Sequence, residues 1–203
     1  MPGTALVAYV LYVVLAFGLR SAIHYRATGT TGYVGLSGRV GSSEWLAGVL
    51  FAAAAVGGGL APLAQLLGIV APWRTDVGPA AAAVGFGCLA LGIAATLWSQ
   101  LAMGTSWRVG VDHATKTALV ARGPFRWIRN PIFTWMTVTN AGLVLLAPNA
   151  LAFASLALLL IALEIQVRAV EEPFPLRTHG AEYRRYAATT GRFVPGLGRL
   201  ADE

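Results

Sequence analysis

The sequence predicts an all-α fold, a polytopic integral membrane bundle of about five transmembrane helices. The last two form a helical hairpin, and a polar cap sits on the cytoplasmic side. Three observations predict it. Of the 203 residues, 56% are apolar and only 12% are charged, far from the balance of a soluble domain. The apolar residues run in blocks that approach or exceed the roughly 20 residues a helix needs to cross about 30 Å of hydrocarbon. The basic residues crowd into alternate gaps between those blocks, as they do in cytoplasmic loops.

The first block is Thr4 to Leu19. It has no basic residue ahead of it and no small-residue cleavage site, so it reads as an uncleaved span. Arg20, Arg26 and Arg39 follow in the first gap. The second block, Trp45 to Trp73, is interrupted by Gly57-Gly58-Gly59 and Pro62, which read as close helix packing or a kink. Only Arg74 lies in the short gap before the third block, Pro79 to Met103. Residues 1–103 are therefore three N-terminal helices. Gly85-Phe86-Gly87 inside the third block is no nucleotide loop, because no strand precedes it.

Residues 104–203 make up the second region, a loop, a helical hairpin and a tail. Its loop carries Arg108, Lys116, Arg122, Arg126 and Arg129. The last block, Pro131 to Val170, breaks at Ala147-Pro148-Asn149. Its first arm, Pro131 to Leu146, is about 24 Å long at 1.5 Å per residue, which makes a shallow hairpin. Asn130 is placed as the N-cap and Pro131 in the first turn. Arg168, Arg177, Arg184, Arg185, Arg192 and Arg199 lie in the tail. With the N-terminus outside, every basic residue except Arg74 falls on the cytoplasmic side, and the plasma (inner) membrane is the expected host.

Several functions are excluded at this level. The single cysteine, Cys88, forms no intrachain disulfide and no multi-cysteine metal site. His24, His113 and His179 lack metal-ligand spacing, so no metal is expected. The net charge of +6 comes with no nucleic-acid-binding motif, and its position explains it better as topology.

Chemistry has two places to sit. Ionisable groups within a membrane segment are costly and usually functional, and the end of the last block carries Glu164, Gln166, Arg168, Glu171 and Glu172. On a regular helix Glu164, Arg168 and Glu172 share one face, and Pro173 and Pro175 are expected to break that helix. The loop is rich in aromatics and arginines, with Trp107, Arg108, Phe125, Arg126, Trp127 and Arg129. That composition suits a membrane interface as well as a binding site. Ala181 to Ala188 reads as a short amphipathic helix carrying Tyr183 and Tyr186.

Together these pieces resemble the isoprenylcysteine carboxyl methyltransferase family. Leu119-Val120-Ala121-Arg122-Gly123-Pro124-Phe125 followed by Arg126-Trp127-Ile128-Arg129-Asn130-Pro131-Ile132-Phe133 is similar to that family's LVxxGxYxxxRHPxYxG signature. Arg168-Ala169-Val170-Glu171-Glu172, Leu176, Gly180, Tyr183, Tyr186 and Arg192-Phe193-Val194-Pro195 are similar to its ending. The resemblance covers roughly residues 105–197, in order and with spacing kept. Asn130 stands where the family has His, and Phe133 where it has Tyr.

The resemblance implies S-adenosylmethionine as the methyl donor, bound at the cytoplasmic face beneath a lipid-accessible acceptor cavity. It implies donor contacts from Leu119, Val120, Phe125, Asn130, Phe133, Glu171, Glu172 and Tyr183. It implies reaction roles for Arg168, facing the acceptor, and for Arg129. The implied partners are the bilayer and a small lipophilic or prenylcysteine-like acceptor, carrying a carboxylate or thiol. Physical chemistry agrees, since arginine suits the donor's carboxylate and aromatic faces suit its adenine and sulfonium. Two alternatives stay open. One is an NADPH-dependent membrane reductase of the sterol type, whose C-terminal pattern is similar. The other is a non-catalytic membrane accessory protein.

Overall fold

The computed structural model describes residues 1–73, 77–110 and 119–200. Arg74, His113 and Lys116 lie outside the described residues. The chain forms helix α1, Pro2–Thr28; α2, Ser43–Leu66; α3, Pro79–Ala102; α4, Pro131–Leu146; and α5, Ala150–His179. A short helix α6, Ala181–Thr189, precedes the tail. Four of these helices are long and apolar enough to span a membrane, and α4 is a shorter apolar one. The all-helical membrane bundle is thus the observed fold, and its exposed outer faces carry residues such as Val7, Leu11, Val56, Val84 and Leu160.

The apolar blocks become helices because each has a start signal and a face that packs. Ser42 caps α2, its Oγ accepting from the Trp45 N–H at 3.2 Å. Pro79 and Pro131 sit in the first turns of α3 and α4, where a missing N–H costs nothing. Asn149 caps α5 through Oδ1, which accepts from the Ala152 N–H at 2.9 Å. Its Nδ2 donates to Ala61 O, Ala147 O and Gln65 Oε1, which ties the hairpin turn to α2. The hairpin is present but splayed, with α4 packed mainly on α3 and α5 mainly on α2.

Glycines allow this close packing. A Cβ on Gly142 of α4 would lie 2.8 Å from Gly85 O of α3, so the two backbones touch. The Gly57–Gly59 run is likewise a packing surface, with Gly57 against Ser155 and both Gly58 and Gly59 against the Tyr9 ring. Pro62 lies inside α2 without ending it.

Three expectations are corrected. The first helix does not end at Leu19. It runs through a π-type turn at Val14–Leu19 to Thr28, and Gly29 stops it at φ 76°. Arg20 therefore belongs to the helix and is buried, where its Nη2 donates to Gly104 O at 2.6 Å. It satisfies carbonyls left over at the end of α3, as a cation there should. Pro173 and Pro175 do not break α5 either. A π-type turn at Gln166–Glu171 precedes them, and both occupy the first turn of the helical segment Pro173–His179, where no N–H is needed. That same turn underwinds the helix and shifts its register. The Glu172 N–H reaches back five residues to Val167 O, so Glu172 leaves the face shared by Glu164 and Arg168.

Candidate functional site

The C-terminal end of α1, the N-terminal end of α2, the C-terminal end of α3, the N-terminal end of α4 and the C-terminal end of α5 meet at one end of the bundle. They enclose a cavity of about 410 Å³, within the size range of small-molecule sites. Its apolar wall includes Phe17, Phe51, Met136 and Leu163, and its polar wall Arg108, Arg129, Asn130, Gln166 and Glu171. Two loops complete it. Tyr33 to Leu36 pairs with the segment around Val109, the Val34 N–H donating to Val109 O at 2.9 Å and the Val109 N–H to Gly32 O at 2.8 Å.

Trp107 anchors that pairing. It is buried, with the Arg20 guanidinium 4.5 Å from its ring centroid and the His24 ring edge-on at 5.6 Å. Glycine is required at position 32, since a Cβ there would lie 2.9 Å from the Trp107 ring.

Beside the cavity lies a buried charge network. Arg129 donates through Nε and Nη2 to Glu172 Oε1, at 3.2 and 2.6 Å. Its Nη1 donates to Ala187 O and Thr190 O, and Nη2 also to Gly198 O. A guanidinium has five N–H donors, so Arg129 has none left for a ligand. Arg192 donates to both oxygens of Glu172, at 2.9 and 2.8 Å, which holds the Arg192 guanidinium above its usual range. Glu172 is 7% exposed, and two arginines compensate its charge.

This network stitches the tail to the start of α4. The Arg129 N–H donates to Gly191 O and the Asn130 N–H to Arg192 O, while Thr134 Oγ1 donates to Phe193 O at 2.7 Å. Asn130 occupies the N-cap position, but its side chain makes no cap bond. Its Nδ2 donates to Arg192 O at 3.2 Å, which ties the side chain to the tail. Burial, with Glu172 second, pushes the Tyr183 hydroxyl up to about 12. Tyr186 Oη donates to Phe125 O at 2.6 Å, which fixes α6 against the short 3₁₀ turn Gly123–Arg126.

The structure sorts the candidate residues accordingly. Phe125, Arg129, Asn130, Phe133 and Glu171 come together on the cavity wall. Glu172 is one bond away, in the network behind Arg129. Tyr183 is buried against Tyr186 and supports α6 rather than lining the cavity. Leu119 and Val120 are half-buried outside any helix and do not line it. Arg168 points outward, 61% exposed in its side chain and paired with Glu164, so the structure brings it to the surface and not to the cavity. The sequence reading missed the contribution of α1, α2 and their loop, where Phe17, Tyr33 and Phe51 belong to no motif. Gln100 was missed too, although a glutamine in an apolar block is the kind of signal that marks a site.

Compared with known protein families, residues 80–182 match the phospholipid methyltransferase family, which is related to the family whose motifs the sequence resembles. No curated protein matches the chain. The matched stretch holds α3, α4, α5 and most of the polar wall, while α1 and α2, outside it, supply much of the apolar wall. Because the match covers half of the chain, this integral membrane protein belongs to the phospholipid methyltransferase family.

Proposed function

We propose that the protein is an S-adenosylmethionine-dependent methyltransferase that acts at the membrane on a small lipophilic or lipidated acceptor, in the manner of the isoprenylcysteine carboxyl methyltransferases. The observation that carries this is the two-sided cavity, with polar groups from the family segment on one wall and bundle-interior apolar side chains on the other. The polar residues fit the donor chemically. Arg108 suits a carboxylate, Glu171 and Asn130 suit ammonium or hydroxyl groups, and aromatic side chains suit an adenine and a cation. When bound, the donor supplies an electrophilic methyl group.

The protein's own residues position and desolvate the reactants. The apolar wall takes the acceptor's hydrocarbon body out of water or lipid, and the Arg129–Glu172–Arg192 network holds the polar wall in place. Preorganised positioning of this kind is the main contribution available to a displacement reaction. The basic end of the bundle is assigned to the cytoplasm, with the N-terminus outside and the plasma membrane as the host.

Calorimetric titration of detergent-purified protein with S-adenosylhomocysteine and NADPH, side by side, tests the reading. Binding of the former alone is the expected result. Binding of NADPH alone would overturn it in favour of a reductase, and binding of neither to folded protein would leave a non-catalytic membrane protein.

A further inference from the structure

The strap between α1 and α2, residues 29–42, contains no helix and only the isolated bridge of Tyr33 to Val109. Connections of that length are uncommon between packed helices and usually cover or bind something. This one lies over the cavity, with Tyr33, Gly35 and Leu36 on its wall. It falls outside residues 80–182, the stretch matched to the family. Glycine recurs along it at every third position, 29, 32, 35, 38 and 41, each with φ between 76° and 85°.

The ends of the strap are fixed and its middle is lightly held. Gly32 rests on the buried Trp107 ring, and Gly38 rests on the cap of α2, where a Cβ would lie 2.7 Å from Ser42 Oγ. Between them Gly35, at φ 83°, has nothing within 4 Å of an added Cβ, so glycine is there for conformation alone. Among the described residues, two backbone hydrogen bonds join the strap to the segment at Val109. The Leu36 side chain adds a contact with α2 at Gly48, where a Cβ would lie 2.7 Å from Leu36 Cδ2. Yet Tyr33 is 50% exposed and Leu36 61%. A segment with few hydrogen bonds and little buried apolar surface opens at a lower free energy than the helices it joins.

Gly48 lies on the face of α2 that, with Ala47, Phe51 and Ala52, contributes to the cavity wall. Leu36 thus closes the strap against the apolar side, the side assigned to the acceptor. We propose that the strap is a gate, with the Leu36–Gly48 contact as its latch and Gly32 and Gly38 as its fixed ends. Lifting residues 33–37 opens the apolar side of the cavity at the membrane interface. This rests on reading the cavity as the reaction site, and it adds control of entry to that reading. With the gate closed, a lipophilic acceptor in the cavity is shielded from water. With it open, acceptor enters and product leaves.

Entry can be measured without an acceptor. Met136 is buried on the cavity wall, so Met136→Cys in a Cys88→Ala background places a thiol inside. Its reaction rate with N-ethylmaleimide is followed in the detergent-purified protein. Leu36→Ala removes the latch, and Gly48→Ala displaces it by contact with Leu36 Cδ2. Each should raise the rate by about fivefold or more, because the rate follows the population of the open state. Val40→Ala, on the strap but 84% exposed and away from the cavity wall, should change it by less than about twofold. Should Leu36→Ala fail to fold, Gly48→Ala carries the comparison. Equal rates in all these proteins would overturn the proposal. So would a Met136→Cys thiol that reacts, with the latch intact, as fast as a cysteine at Val40, or one that reacts in none of the variants. S-adenosylhomocysteine is titrated into the same proteins. Rates that respond to the latch without S-adenosylhomocysteine binding keep the gate and sink the methyltransferase reading. Binding without a response to the latch does the reverse.

Discussion

At the scale of single residues, the neighbouring glutamates have different surroundings, Glu172 in the buried network and Glu171 on the cavity wall. Glu172 compensates two arginines in a buried network, and removing one partner of such a network leaves uncompensated charge, at a cost of about 3–5 kcal/mol. Glu172→Gln should therefore lower the thermal midpoint of the detergent-purified protein sharply. A midpoint unchanged from wild type would show that the network is dispensable. Arg168→Ala should change it little, because an exposed pair with Glu164 is worth roughly 0–1 kcal/mol at most. Tyr183 gives a pH test. Its hydroxyl titrates near 12 in the folded protein against about 10 in an unfolded chain. Between those values the unfolded chain has released a proton that the folded chain retains, so stability falls as pH rises through that window. Melting curves from pH 9 to 11.5 should fall less steeply for Tyr183→Phe than for wild type, and parallel curves would contradict the assignment.

At the scale of elements, helix pairing depends on backbone contact rather than on large side chains. The α3–α4 seam has no room at Gly142, where a Cβ would meet Gly85 O at 2.8 Å and the Leu89 N–H at 3.0 Å. Neither neighbour is a flexible side chain that can swing aside. Gly142→Val should cost about 1–3 kcal/mol, the range of overpacked cores. Gly87→Ala, with nothing within 4 Å of its added Cβ, should stay within about 0.5 kcal/mol of wild type. Equal melting of the two variants would mean that the seam is looser than described. The two π-type turns decide where side chains point at this scale. One lets Arg20 reach the end of α3, and the other turns Glu171 toward the cavity while Glu172 meets the tail.

At the scale of the whole molecule, one end of the bundle gathers the α1–α2 loop, the α3–α4 loop and the tail. The assigned topology puts all three in the cytoplasm. Cys88 is the sole cysteine, so after Cys88→Ala single cysteines can be placed at Ser37, Ala121 and Thr189. A membrane-impermeant maleimide should label all three only after cells are permeabilised, while a cysteine at Gly68 labels in intact cells. The opposite pattern would invert the topology, and labelling on both sides would break the five-span fold.

The sequence by itself determined the bundle, because a run of apolar residues long enough to cross a bilayer has few other stable states. Apolar runs, the Pro131 start and the Asn149 turn fixed the elements, and motif spacing brought Phe125, Asn130, Phe133 and Glu171 into view. Tertiary structure alone decided what those side chains do. The π-type turns that separate Glu171 from Glu172, and that carry α1 past Leu19, arise from packing and leave no periodic trace in the apolar pattern. The sequence places Arg129 and Arg192 in motifs without naming their partners. Only the returning tail, held by backbone hydrogen bonds between distant residues, shows that their charge is spent on Glu172. The apolar wall from α1 and α2 was invisible for the same reason. A phenylalanine in an apolar helix looks the same to the sequence whether it meets lipid, protein or a ligand, and only its position in the folded bundle tells them apart.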